Sequence, residues 1–142
     1  MNQAYRTLNP LASMVTNGQV VHPPRGYIDL PYTYVFTIAL TASQVVNGAQ
    51  QAIDTDSDFM WRALVFSSTG IFRVRFSDSQ AFFLSNLQID SLNLSNDGSS
   101  PYVIFPEMPF PAGSRIGIDI TDTSAAPNTV QIGFIGCKRY RI

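Results

Sequence analysis

The sequence is poor in the residues that do chemistry. Its 142 residues include one cysteine, Cys137, one histidine, His22, and one glutamate, Glu107. A lone cysteine excludes an intrachain disulfide and any multi-cysteine zinc site, so the fold must stand on packing. Nucleophilic catalysis needs a base beside a Ser or Cys. His22 lies in an irregular stretch before Pro23 and Pro24, with no local motif joining it to Cys137. Gly113, Gly117 and Gly133 are single glycines in or beside strands, so no phosphate-cradling loop is present. No apolar run reaches the roughly 18 to 20 residues of a membrane helix. The opening "MNQAYRTLNP" lacks the basic start and apolar centre of a signal peptide. The expectation is a soluble chain made in the cytoplasm, with no catalytic residues, cofactor or metal, and not an enzyme.

Charge is scarce as well. Asp, Glu, Lys and Arg make up 13% of the chain, against about 25% in an average soluble domain. The net charge of -1 provides no global field for nucleic acid or an anionic membrane, so neither is expected as a partner. Hydrophobic residues reach 45%, with ten Phe and six Tyr. Aromatic enrichment with charge depletion is how interface cores differ from ordinary surface. Part of this surface is therefore expected to be covered in the working state.

A chain of this length suits one domain. Residues 1–31 show no sustained period and are broken by Pro10, Asn17-Gly18, Pro23-Pro24, Gly26 and Pro31, the pattern of an extended N-terminal arm. The arm still carries Tyr5, Leu8, Leu11, Val20, Val21 and Tyr27, apolar groups expected to dock on its own domain or on a neighbour. From residue 32 to 142 the period becomes two, the mark of half-buried strands. In "YTYVFTIAL" Tyr34, Phe36, Ile38 and Leu40 share one face. Asn47-Gly48 predicts a tight hairpin. Further strands are expected in "DFMWRALVF", "GIFRVRFSDS", "AFFLSNLQID", "YVIFP", "RIGIDIT" and "TVQIGFIGC", with "FPEMPFPAGS" as a long connection. Eight or nine short strands without helix-length segments predict an all-β fold. Irregular spacing and long connections favour an antiparallel β-sandwich, an eight-stranded jelly roll, over a barrel.

The candidate sites are few. Asp54, Asp56 and Asp58 alternate as in the opening of a calcium loop, but Phe59 and Val65 stand where the helix-loop-helix motif needs Gly and Glu. A solvated turn is the simpler reading. Arg73 and Arg75 in "FRVRF" form an outward polar face, too weak a footprint for nucleic acid. The tail "CKRYRI" holds the one basic cluster, Lys138, Arg139 and Arg141, expected at a mobile terminus and available to an acidic partner surface. Trp61, on a strand apolar on both sides apart from Arg62, is expected at the centre of the core.

The order "DSDFMWRALVF…GIFRVRFSDS", then "SPYVIFPEMPFPAGSRIGIDITDTSAAPNTVQIGFIGCKRY", resembles the small all-β virion proteins of tailed bacteriophages, in particular the jelly-roll capsid cement or decoration proteins. The likeness spans roughly residues 30 to 141. It implies a non-enzymatic protein on the capsid exterior of the virion, made in the host cytoplasm, that bridges major capsid protein subunits as a dimer or trimer. It further implies that the arm lies along those subunits or a sister copy. Other phage structural parts, such as tail, baseplate or head-tail joining proteins, share the look, and jelly rolls also serve as carbohydrate-binding or receptor-binding modules.

Overall fold

A computed structural model describes residues 23–94 and 100–142, together with the backbone of 14–16 and 19–21. Two four-stranded antiparallel sheets pack face to face. In chain order the strands are β1 (Met14–Thr16), β2 (Gln19–Val21), β3 (Tyr27–Leu40), β4 (Val45–Ala52), β5 (Asp58–Ser68), β6 (Phe72–Ser77), β7 (Ile89–Asp90), β8 (Tyr102–Phe110), β9 (Arg115–Asp122) and β10 (Asn128–Arg141). One sheet runs β3-β10-β5-β8 and the other β4-β9-β6-β7, while among the described residues β1 and β2 pair only with each other. From β3 onward each successive strand crosses to the other sheet, except that β6 and β7 are neighbours in one, which is the double Greek key of a jelly roll. The expected fold class holds.

Alternation builds the core. Ile116, Ile118 and Ile120 of β9 and Val130, Ile132 and Phe134 of β10 are fully buried, while Gly117, Asp119 and Gln131 between them are not. Trp61 sits at the centre as expected, its ring in edge contact with Phe134 of its own sheet and Phe76 of the other. Burying each such side chain contributes roughly 1.5–3 kcal/mol. The Trp61 indole N–H donates to the Ala63 carbonyl at 2.7 Å, so its polar atom is not stranded. Between β10 and β5 the register shifts at Gly136, where a Cβ would run into the Met60 carbonyl.

Several local expectations are corrected. β3 begins at Tyr27, so residues 27–31 belong to the sandwich rather than to the arm. Asn47-Gly48 does not close a hairpin. It forms a bulge within β4, whose register against β9 shifts between Val46 and Ala49. Gly48 takes φ +82°, and its N–H donates to Asp119 Oδ1 at 2.8 Å. The left-handed tolerance that signals a turn serves a bulge equally well. "AFFLSNLQID" is strand only at Ile89–Asp90. Ahead of it Asp78 accepts from the N–H groups of Gln80 and Phe82, and Ala81 takes a positive φ, so this stretch folds as a loop. "FPEMPFPAGS" is not all connection, because β8 continues through Pro106 and Pro109 to Phe110. An edge strand tolerates such prolines.

Candidate interaction surface

Four charged side chains of the sheet β3-β10-β5-β8 satisfy one another. One charged side chain from each strand joins the cluster: Asp29 from β3, Arg139 from β10, Arg62 from β5 and Glu107 from β8. Arg62 pairs with Asp29 at 3.0 Å and Glu107 at 2.8 Å. Arg139 pairs with Asp29 at 2.8 Å and Glu107 at 3.1 Å. Two carboxylates and two guanidiniums close a neutral ring, with Asp29 and Arg62 almost wholly buried. Burial pushes the Asp29 carboxyl up, but the hydrogen bonds and charge of Arg139, a hydrogen bond from the Cys137 thiol and the charge of Arg62 outweigh it. The carboxyl is left below its ordinary range. The only glutamate is therefore committed to two arginines. Cys137 is buried mid-strand rather than at a strand end, and burial pushes its thiol up to about 12, opposite to what a nucleophile needs.

At the end of the sandwich Lys138 projects to the other side of β10. Its ammonium donates to Asp54 Oδ2 at 2.9 Å and Asp56 Oδ1 at 3.2 Å, and lies 4.2 Å from the centre of the Tyr32 ring. The Tyr140 hydroxyl donates to Asp56 Oδ2 at 3.0 Å. The Asp54 hydrogen bond raises the lysine pKa against the opposing effect of burial, and Asp56 adds to it. Asp58 accepts from the Ala112 N–H at 3.0 Å instead of joining the other two. The lysine thus stands where the acidic run suggested a hard cation.

This overturns the expectation of a mobile basic tail. Lys138 and Arg139 lie inside β10, buried on opposite sides of one strand and each held by its own acids. Only Arg141 is exposed; its guanidinium donates to the Tyr27 hydroxyl at 3.4 Å. Of the expected docking residues, Tyr27 is half-buried in β3, and Val20 and Val21 lie in β2, paired with Val15 and Met14. Tyr5, Leu8 and Leu11, and also His22, lie outside the described residues. On the other sheet Arg75 meets Asp119 at 3.5 Å and covers the Phe83 ring, while Arg73 reaches Asp90 only at 4.0 Å.

Large apolar side chains, in contrast, stay in water. A cavity of about 90 Å³ opens where β7 and β8 end the two sheets, lined by Trp61, Leu64, Phe76, Leu84, Tyr102 and Ile104. Near it the loop before β7 exposes Phe82 and Leu87 by about two thirds (67% and 69%), and β8 exposes Phe105 by about half (48%). Leu92, in the 3-10 turn Ser91–Asn93 that follows β7, is 76% exposed. The pairing pattern hid this surface, because the "AFFLSNL" hydrophobes fit an alternating strand as well as an exposed loop. No family model matches the chain, and neither does any curated protein or solved structure.

Proposed function

We propose that the protein is a non-enzymatic virion structural protein, a cement that binds the outside of a phage head shell and bridges neighbouring major capsid protein subunits. The observation that carries this reading is the set of large apolar side chains left in water, Phe82 and Leu87 on the loop before β7, Leu92 on the turn after it and Phe105 on β8, held on a rigid sandwich whose buried charges satisfy one another. Exposed apolar clusters rimmed by polar residues mark binding surfaces rather than ordinary exterior. Jelly rolls recur in capsid and lectin domains, and the head-shell assignment itself rests on the sequence resemblance. Many such contacts acting together would resist separation of shell subunits under the outward pressure of packed DNA.

The test is cosedimentation with purified heads stripped of this chain. Saturable binding is expected, with loss of at least tenfold in affinity for a folded variant carrying Phe82→Ser, Leu87→Ser and Phe105→Ser. A wild-type chain that stays in the supernatant at every concentration overturns the reading. The exposed phenylalanine rings also suit a sugar platform, as a receptor-binding module would need. Specific signal on a glycan array, with no binding to heads, would transfer the surface to that function.

A further inference from the structure

Three of the four edges of the two four-stranded sheets carry the devices that keep edges from pairing. β7 has only two residues, β8 carries Pro106 and Pro109, and β4 is broken by its bulge at Gly48. β3 has a ladder to β10 that runs its full fourteen residues without a register shift. From Leu30 to Leu40 it contains no charged residue. Among the described residues, no strand pairs with its other side.

The direction of its free groups follows from the ladder. The Ile142 N–H donates to the Gly26 carbonyl at 2.9 Å, continuing the register in which Arg141 faces Tyr27. Even-numbered residues of β3 therefore exchange hydrogen bonds with β10, and odd-numbered ones turn theirs away. Pro31, which has no N–H to give, falls in the odd set, as it must. Thr33, Val35, Thr37 and Ala39 thus present N–H and C=O groups along an open edge, and all four are exposed.

We propose that this edge pairs with the same edge of a second copy, antiparallel about a two-fold axis at Phe36, so that two sheets fuse into one of eight strands. Thr33 then lies opposite Ala39 of the other copy, and Val35 opposite Thr37. This register engages all four free residues and stops short of Pro31; sliding it toward the N-terminus brings Pro31 opposite Ala39 and forfeits a donor. An uncharged edge of Thr, Val and Ala offers nothing to attract an acidic or basic strand, whereas a copy of itself meets no like-charge repulsion and brings β-branched side chains. The contact is self-complementary, as a closed two-fold dimer requires. It does not depend on the head-shell reading.

Light scattering on the purified full chain tests it, with Thr37→Pro and Val35→Lys as variants. Thr37→Pro removes an outward N–H and spares the β10 ladder, and Val35→Lys adds an edge charge without touching the backbone. The wild type is expected at twice the 15.7 kDa chain mass, and each folded variant at half that value. Hydrogen exchange should show the Thr33, Val35, Thr37 and Ala39 amides slow in the wild type. In Val35→Lys the Thr33, Thr37 and Ala39 amides should be fast, with Tyr34, Phe36 and Ile38 slow in both. If Thr37→Pro fails to fold, Val35→Lys and the exchange pattern decide. A wild type that is monomeric or trimeric, a folded variant that stays dimeric, or fast wild-type exchange at the four odd amides overturns the proposal.

Discussion

Arg139 grips Asp29 with two hydrogen bonds, Nε to Oδ1 and Nη2 to Oδ2, from directly across the β3–β10 ladder. Asp29 also takes Arg62, so one carboxylate holds two buried cations. Removing one partner of a buried pair costs about 3–5 kcal/mol, because the remaining charge is left unpaired. Asp29→Asn should therefore lower stability by about that amount, read as a fall in the urea midpoint. The pH dependence has a definite sign. A carboxyl with a lower pKa folded than unfolded binds fewer protons when folded, so its contribution is complete above the ordinary value of about 3.9 and is lost below it. The wild type should lose stability as pH falls below about 4, and Asp29→Asn should lose less over the same window. Equal acid limbs in both proteins would show that Asp29 is not a source of the dependence.

The same pair decides where the chain can be cut. Because β3 starts at Tyr27 and carries Asp29, removing residues 1–31 deletes the centre of the charge ring as well as part of an edge strand. Removing residues 1–22 spares both. The shorter deletion is expected to keep a cooperative thermal transition, and the longer one to lose it or shift it down by about 10 °C or more, on the scale of roughly 2–4 °C per kcal/mol for a chain near 150 residues. Similar melting curves for the two truncations would contradict the role given to Asp29.

The sandwich was legible because alternation is local: Tyr34, Phe36, Ile38 and Leu40, or Ile116, Ile118 and Ile120, announce their faces within seven residues. The fates of Lys138 and Arg139 were not, since their partners Asp54 and Asp29 lie 84 and 110 residues away in sequence. A usable signal existed in the alternation of "TVQIGFIGC", which continues without a turn residue into "KRYR" and so extends the strand. Asn47-Gly48 failed for a different reason. Positive φ is needed by turns and by bulges alike, and only the identity of the facing strand separates them.

Lys138 offers a second charge test with the opposite sign. Its pKa is raised by Asp54 and Asp56, so its contribution is present below the ordinary lysine value of about 10.4 and is lost as pH rises through the folded one. Asp56, held below its usual range chiefly by the hydrogen bond from Lys138 and then by that from Tyr140, loses its contribution at the acid end. Lys138→Met removes the ammonium and keeps the stem, leaving the two aspartates facing each other without a cation. Stability should fall at pH 7, and the deficit relative to wild type should shrink toward pH 3 as Asp56 loses its charge. A deficit that is constant with pH would mean that the stem, not the charge, is what matters.

Cys137 reports on the whole ring without being part of its charge. Its thiol is buried, and at pH 8 a group held up at about 12 is ionised only to roughly one part in ten thousand. Labelling by a disulfide reagent in native buffer should therefore be slow and limited by opening of the sheet, then become complete at one thiol per chain once urea passes the midpoint. Asp29→Asn should accelerate native labelling, since a less stable ring opens more often. Sub-denaturing urea separates two causes of protection. If Cys137 is shielded by the fold, the rate rises with urea as stability falls; if it is shielded only by its ionisation, raising the pH by one unit speeds labelling tenfold while urea below the midpoint leaves it unchanged.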